Sequence, residues 1–221
     1  MKKQGIVPVF RDYVLDPTLK SAIIDVAELG LDHFIVGLAQ ELPGVKIVFG
    51  LGKSIISVRD RNFQIQTRKF CMHLHDGSIT SHQFAKYKKE LEENPKRAEK
   101  ELSRVIVLLD RIIDDEKTKI LASFFRAYIL DLITWDNFRE LSDVLDRLFV
   151  ADITLLNRIR NTDKETLYQE GGYVADRFVS VGLVRNPTSN IQIGIGGFPP
   201  FGKIPLFLTD LGNQFILHGD Q

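Results

Sequence analysis

The helical spacing of apolar residues in the middle third is the strongest constraint on the fold of this chain. Three successive stripes recur every three or four positions, which is the period of one face of an α-helix. The second stripe follows the acidic start Asp114-Asp115-Glu116, and the third follows Thr134 at a position suited to an N-cap. We therefore expect three helices with short connections to form a compact bundle. The stripes comprise Leu102, Val105, Ile106, Leu109, Ile112 and Ile113, then Ile120, Leu121, Phe124, Phe125, Tyr128 and Ile129, then Phe138, Leu141, Leu145, Leu148 and Phe149.

The segments on either side differ from this middle part. Residues 29–58 are apolar and rich in glycine, with a turn predicted at Pro43-Gly44. A polar helix follows from about Ala85, and Asn94-Pro95 is expected to separate it from the first helix of the bundle.

The last third predicts helices followed by a β-ribbon. A helix over 164–181 ends before Gly182, and apolar stretches at 191–195 and 204–208 flank a segment rich in glycine and proline. A final helix is predicted over 211–218. The resulting fold class is mainly α, with N-terminal apolar helices and a central helical bundle followed by a small winged-helix-like α+β module. The predicted regions are 1–84, 85–150 and 151–221.

Charge and cysteine usage narrow the class of function. The 221 residues carry 29 Lys and Arg against 29 Asp and Glu, so any nucleic-acid or membrane contact must come from a local cluster of charge. The single Cys71 excludes an intramolecular disulfide framework and a cysteine-rich zinc site. No signal-peptide pattern follows Met1-Lys2-Lys3, so we expect a cytoplasmic protein, with peripheral association at the inner membrane face as an alternative.

One basic block stands out from this neutral background. Residues 46–69 contain six basic residues and one acidic residue, Asp60, which gives a local charge of +5. The same segment contains an apolar stripe that includes Val48, Leu51, Ile55 and Val58. In a purely structural interpretation, this segment is a core helix with a solvated basic face. The functional one is an amphipathic helical surface over 45–69 for an anionic membrane or a protein partner. The candidate binding residues are Val48, Phe49, Leu51, Lys53, Ile55, Arg59, Arg61, Arg68 and Lys69.

DNA binding through the C-terminal module is the second hypothesis, because a winged helix reads DNA with one helix and contacts the backbone with its wing. Its candidate residues are Lys164, Arg177, Arg185 and Lys203. Acidic residues outnumber basic ones on the predicted helix, and this favours a protein-interaction or structural module.

Catalytic and metal-binding motifs are weak. Gly52-Lys53-Ser54 is similar to the end of a phosphate-binding loop, but Ile47 occupies the position that needs the first glycine. The acid-ending run Val105–Asp110 fits helical spacing better than a strand. Cys71, His73 and His75 would converge on a strand but diverge on a helix. We therefore predict no cofactor, no metal and no catalytic residues, and keep a nucleotide-binding enzyme as a third alternative.

Several short motifs resemble a loose group of uncharacterised bacterial proteins from prophages and other mobile elements. They include Gly50-Leu51-Gly52-Lys53-Ser54, Trp135-Asp136-Asn137-Phe138 and the closing Leu208-Thr209-Asp210-Leu211-Gly212. The layout is also similar to the abortive-infection alpha family. This resemblance implies a phage-conflict context, in defence or counter-defence, and a non-enzymatic mode of action. The expected partners are a protein or an anionic membrane surface, with nucleic acid second and homo-oligomer formation left open.

Overall fold

The computed structural model describes residues 6–16, 57–161, 172–185 and 207–219. These residues are mainly helical, with a single two-stranded sheet among them, which confirms the predicted mainly α class. The chain divides into two compact units, Met1–Thr134 and Trp135–Gln221. The three-part division with boundaries after residues 84 and 150 stays a prediction.

Helices make up all the regular structure that is described in the first unit. In chain order they are α1 Ile6–Val14, α2 Val58–Leu74, α3 Ser81–Glu93, α4 Pro95–Arg111 and α5 Asp115–Ile129. The second unit contains α6 Trp135–Arg147, α7 Val150–Asn161, α8 Gly172–Ser180, β1 Val184–Arg185, β2 Phe207–Leu208 and α9 Asp210–Gly219. None of the described helices is long and apolar enough to cross a bilayer.

The core of the first unit lies where α2 packs against α5. Phe70 on α2 and Phe125 on α5 are fully buried, and their ring centroids lie 5.8 Å apart. Helix α4 packs against α1, α2 and α3. Burial of side chains this large supplies most of the favourable free energy of folding.

The predicted stripes of α4 and α5 are confirmed, with two exceptions at the edge. All six predicted residues of α5 are buried, whereas Ile106 is half-buried and Ile113 is exposed. The predicted break at Asn94-Pro95 is also confirmed, because the Asn94 side chain accepts a hydrogen bond from the backbone N–H of Arg97 and starts α4. Helix α6, predicted as the third helix of the same bundle, belongs to the second unit.

Helix α2 begins at a strong N-cap. The Ser57 hydroxyl accepts from the backbone N–H of Asp60, and the Asp60 carboxylate accepts from the backbone N–H of Ser57. This capping box places Ser57 in an extended conformation. The predicted amphipathic helix over 45–69 is therefore wrong as one continuous helix, and Val58 is 88% exposed rather than the end of a core stripe.

Polar side chains of α2 hold the connection between α4 and α5. Asn62 donates to the carbonyl of Ile112 at 2.8 Å, and Gln66 donates to the carbonyl of Ile113 at 2.9 Å. The Thr118 hydroxyl on α5 donates to Gln66 Oε1 at 2.6 Å. Carbonyls at the end of a helix need such partners when they are shielded from water, so these bonds fix the position of α5 along α2.

The second unit contains a small antiparallel sheet and a capped final helix. Val184 pairs with Leu208 and Arg185 with Phe207, so the predicted strand at 204–208 is partly confirmed. Its partner is β1, which follows Gly182 at a φ of 78°. Strand β1 was not predicted, because two residues carry no periodicity. The predicted strand at 191–195 lies outside the described residues.

Hydrogen bonds of Thr209 join the start of α9 to the residues that precede β1. The Thr209 hydroxyl accepts from the backbone N–H of Gly212 at 3.0 Å and donates to the carbonyl of Gly182 at 2.6 Å. A Cβ added at Gly212 would collide with the backbone carbonyl of Leu183. Only glycine allows this close approach.

Candidate cationic groove on α2

The structure places four of the predicted binding residues on α2, namely Arg59, Arg61, Arg68 and Lys69. The other five, Val48, Phe49, Leu51, Lys53 and Ile55, lie outside the described residues. Two acidic side chains from other helices form ion pairs with this set. Arg59 Nε donates to Asp110 Oδ1 at 2.9 Å, and Lys69 pairs with Asp115. The basic block is thus partly neutralised by carboxylates that are remote in sequence.

A groove of about 520 Å³ lies beside α2 at the start of α5. Seven described residues line it, and six of them come from α2 at spacings of three or four, so they share one face of the helix. The seventh is Asp115, the first residue of α5. The lining residues are Arg61, Ile65, Arg68, Lys69, Met72, His73 and Asp115.

The charged side chains of the groove are mostly basic. Among the described lining residues there are three permanent cations and one carboxylate, that of Asp115. Burial lowers the pKa of His73, and the charges of Lys119 and Arg126 lower it further. Lys69 pairs with Asp115, whereas Arg61 forms no ion pair within the described part of the chain. An anionic group entering the groove would therefore meet cations whose charge is incompletely compensated.

The same groove has an apolar component. Ile65 is half-buried and Met72 is 38% exposed, and both lie between the basic side chains along α2. Apolar residues flanked by charges are typical of a protein-interaction surface. The groove can bind a partner that offers carboxylates or phosphates together with aliphatic groups.

The described residues that were candidates for nucleotide and metal binding lie on or next to helices α2 and α4. Asp110 lies on helix α4 and pairs with Arg59. Cys71 and His73 lie on helix α2, and His75 follows directly as its C-cap. Cys71 is buried. The His75 ring stacks on Phe84, and its Nε2 donates a hydrogen bond to the carbonyl of Val14 at 2.8 Å. Within the described ranges, no group of three His, Cys, Asp or Glu residues could hold a metal ion. Gly52-Lys53-Ser54 lies outside those ranges.

The alternative nucleic-acid residues do not gather at one described surface. Arg177 forms a bidentate pair with the buried carboxylate of Asp152, with Nε–Oδ2 and Nη2–Oδ1 distances of 3.0 and 2.6 Å. Its guanidinium also lies over the rings of Phe149 and Tyr173. Arg185 is exposed on β1. Lys164 and Lys203 lie outside the described residues, so the phosphate-contact set stays a prediction.

Arg177 belongs to a second concave surface. A cavity of about 680 Å³ in the second unit is lined by Phe149, Tyr173 and Arg177, among others. Phe149 is 62% exposed and Tyr173 is 69% exposed. Asp152 also accepts from the backbone N–H of Phe149 at 3.0 Å, and thereby caps α7. The Asp152 carboxylate thus joins the start of α7 to Arg177 of α8, beside the exposed rings of Phe149 and Tyr173.

Two buried polar clusters in the first unit were not predicted from the sequence. The Glu101 cluster comprises Glu101, Tyr87, Tyr128 and Arg97, and the Arg126 cluster comprises Arg126, Asp76, Ser123 and the backbone of His73. The available signal was a charged residue within an apolar helical face. Glu101 precedes Leu102, and Arg126 lies between Phe125 and Ala127. Such positions demand internal partners.

Comparisons with family models, with curated proteins and with solved structures found no match.

Proposed function

We propose that this protein acts by binding rather than by catalysis, and that the α2 groove is its contact surface for an anionic partner. The observation that carries the proposal is the groove itself, where the described lining residues place three cations and one carboxylate beside Ile65 and Met72 in a protein of zero formal charge. The resemblance to the abortive-infection alpha family suggests a phage-conflict context. In that setting a binding surface exposed to the cytoplasm would engage a phage or host component, either a protein or the inner face of the membrane.

The electrostatic part of this proposal can be tested with two simple anionic probes. We expect poly-L-glutamate, vesicles containing phosphatidylglycerol, or both to bind at low salt and to dissociate as salt rises, since exposed charges are screened beyond about 8 Å at physiological ionic strength. Arg61→Glu should weaken binding about fivefold, which corresponds to about 1 kcal/mol. Fluorescence anisotropy and co-sedimentation give the affinities.

The matched control is Lys96→Glu, which makes the same change at an exposed position near the start of α4 and outside the groove. Equal losses in the two variants would mean that only the total charge matters. Absence of binding to both probes at low salt would contradict the proposed function.

We propose DNA binding by a winged-helix-like second unit as the alternative function. The antiparallel pairing of β1 and β2 between α8 and α9 supports it, because a wing is a β-ribbon placed beside such helices. The expected result is a gel shift with DNA flanking the gene, reduced by Arg185→Ala. Arg139→Ala on α6 is the control. No shift at low salt would exclude this alternative, since non-specific DNA binding is strongest there.

A further inference from the structure

The exposed face of α2 has the spacing of a helix-pairing seam. Val58, Ile65 and Met72 are separated by seven residues, and Arg61 and Arg68 repeat at the same interval. A seven-residue repeat stays on one side of a helix and is the pattern that pairs helices side by side. The three apolar members are exposed or half-buried, although α2 buries its opposite face against α5. The seam therefore faces outward over nearly the whole length of α2.

The charges along this seam specify the kind of helix that fits. Arg61 and Arg68 follow Val58 and Ile65 by three positions, and Lys69 lies one residue further. A partner helix would need aliphatic residues opposite Val58, Ile65 and Met72, and carboxylates opposite Arg61 and Arg68. Two copies of α2 would instead place arginines against arginines, which disfavours self-pairing through this face.

The side-chain types along this seam favour a helix over a bilayer. Peripheral membrane helices bury projecting Trp, Phe or Leu side chains among the lipid headgroups. The apolar members of this seam are Val58, Ile65 and Met72, so it offers none of these three residue types, and Ile65 and Met72 lie among basic side chains in the groove. A helix of about 10 Å diameter can lay a narrow apolar edge along this row of side chains, with its own carboxylates beside the arginines.

We propose that an acidic amphipathic helix of a partner protein docks in the α2 groove and along the exposed start of α2, with Val58, Ile65 and Met72 as apolar contacts and Arg61 and Arg68 as charge contacts. This inference rests on the proposed binding function and gives it a partner class. The seam from Val58 to Met72 spans fourteen rises of about 1.5 Å, so the docked helix would be about 21 Å long, or roughly four turns.

The test uses the full chain and a designed peptide of about 15 residues, with Leu at seven-residue spacing and Glu at the flanking positions. A hydrocarbon staple on its far side keeps it helical, because free helices of this length are marginal in water. One matched peptide replaces each Glu by Gln, and another replaces each Leu by Ser. Binding is measured by fluorescence anisotropy, beside the phosphatidylglycerol vesicles.

We expect the parent peptide to bind at least about tenfold more tightly than either matched peptide. Met72→Gln and Arg61→Glu should each weaken its binding about fivefold or more, while Lys96→Glu leaves it unchanged. Because Met72 and Arg61 are exposed, these changes leave the core intact, and circular dichroism of each variant checks this.

Three other results would overturn the helix-docking proposal. Equal binding of the parent and the Leu→Ser peptide would show attraction by charge alone, and the proposed function would stand without a helical partner. Binding to vesicles but not to the parent peptide would indicate that this surface binds a membrane and not a helix. If peptides, poly-L-glutamate and vesicles all fail to bind, the proposed function fails together with this inference.

Discussion

Glu101→Ala is expected to lower the free energy of unfolding by about 3–5 kcal/mol. Glu101 on α4 is only 3% exposed. Its carboxylate accepts three hydrogen bonds of 2.7 Å, from the hydroxyls of Tyr87 and Tyr128 and from Arg97 Nε. Alanine would leave two buried hydroxyls and a guanidinium without this acceptor, and the penalty of unpaired buried groups exceeds the net value of the bonds themselves.

The structural consequence of that loss extends over three helices. Tyr87 lies on α3, Arg97 and Glu101 on α4, and Tyr128 on α5, so the carboxylate joins all three. Arg97 also donates from Nη2 to the Tyr128 hydroxyl at 2.9 Å and from Nη1 to Glu90 at 3.1 Å. Burial, followed by the charge of Glu101, raises the pKa of Tyr87 well above its ordinary value, so the hydroxyl stays a donor throughout the physiological range.

Urea denaturation followed by near-ultraviolet circular dichroism measures this effect, because Tyr87 and Tyr128 contribute to the signal. The control is Glu99→Ala on the same helix, where the side chain is exposed and bonds only to Ser103 among the described contacts. We expect a change below about 0.5 kcal/mol there. A loss in Glu101→Ala no greater than in this control would show that the cluster contributes nothing to stability.

Helices α3, α4 and α5 of the first unit could be predicted from the sequence because their signals are local. The spacing of apolar residues locates α4 and α5, and Asn94-Pro95 marks the boundary between α3 and α4. The start of α2 was equally local but was missed. Ser57 and Asp60 have the spacing of a capping box, and the longer apolar stripe before them obscured that signal.

The candidate site was only partly predictable, for a different reason. Its basic residues could be identified as a block, since Arg61, Arg68 and Lys69 lie close together in sequence. Which basic side chains of α2 are neutralised depends on residues of α4 and α5. Asp110 is 51 positions away from its partner Arg59, and sequence spacing carries no information about such pairs. The partners of Glu101 and Arg126 in the buried clusters could not be predicted for the same reason.

Arg126→Ala is expected to cost about 3 kcal/mol, the second large effect in the first unit. Arg126 on α5 is 2% exposed. Nη1 donates to the carbonyl of His73 at 3.2 Å and pairs with Asp76, while Nη2 donates to Ser123 Oγ at 3.1 Å. The guanidinium thus holds the end of α2 and the following turn against α5. The value lies at the lower end for buried pairs because Asp76 is partly exposed, and water can rehydrate its carboxylate.

The dependence of this loss on pH separates the ion pair from the other contacts. Burial opposes ionisation of Asp76, but hydrogen bonds from Ser78 and the charge of Arg126 hold its pKa below the ordinary value. The stabilisation is therefore present above the unfolded pKa of about 3.9 and is lost as pH falls through the lower folded pKa. Thermal unfolding of the wild type and Arg126→Ala should differ most at pH 7 and less near pH 3.

Lys119→Ala, at an exposed position of the same helix, is the matched control for the Arg126 variant. It should change stability by less than about 0.5 kcal/mol at both pH values, because it removes a charge without opening a buried cluster. A penalty for Arg126→Ala that is the same at pH 7 and pH 3 would assign the whole effect to Ser123 and the backbone of His73. That result would contradict a stabilising role for the Asp76 pair.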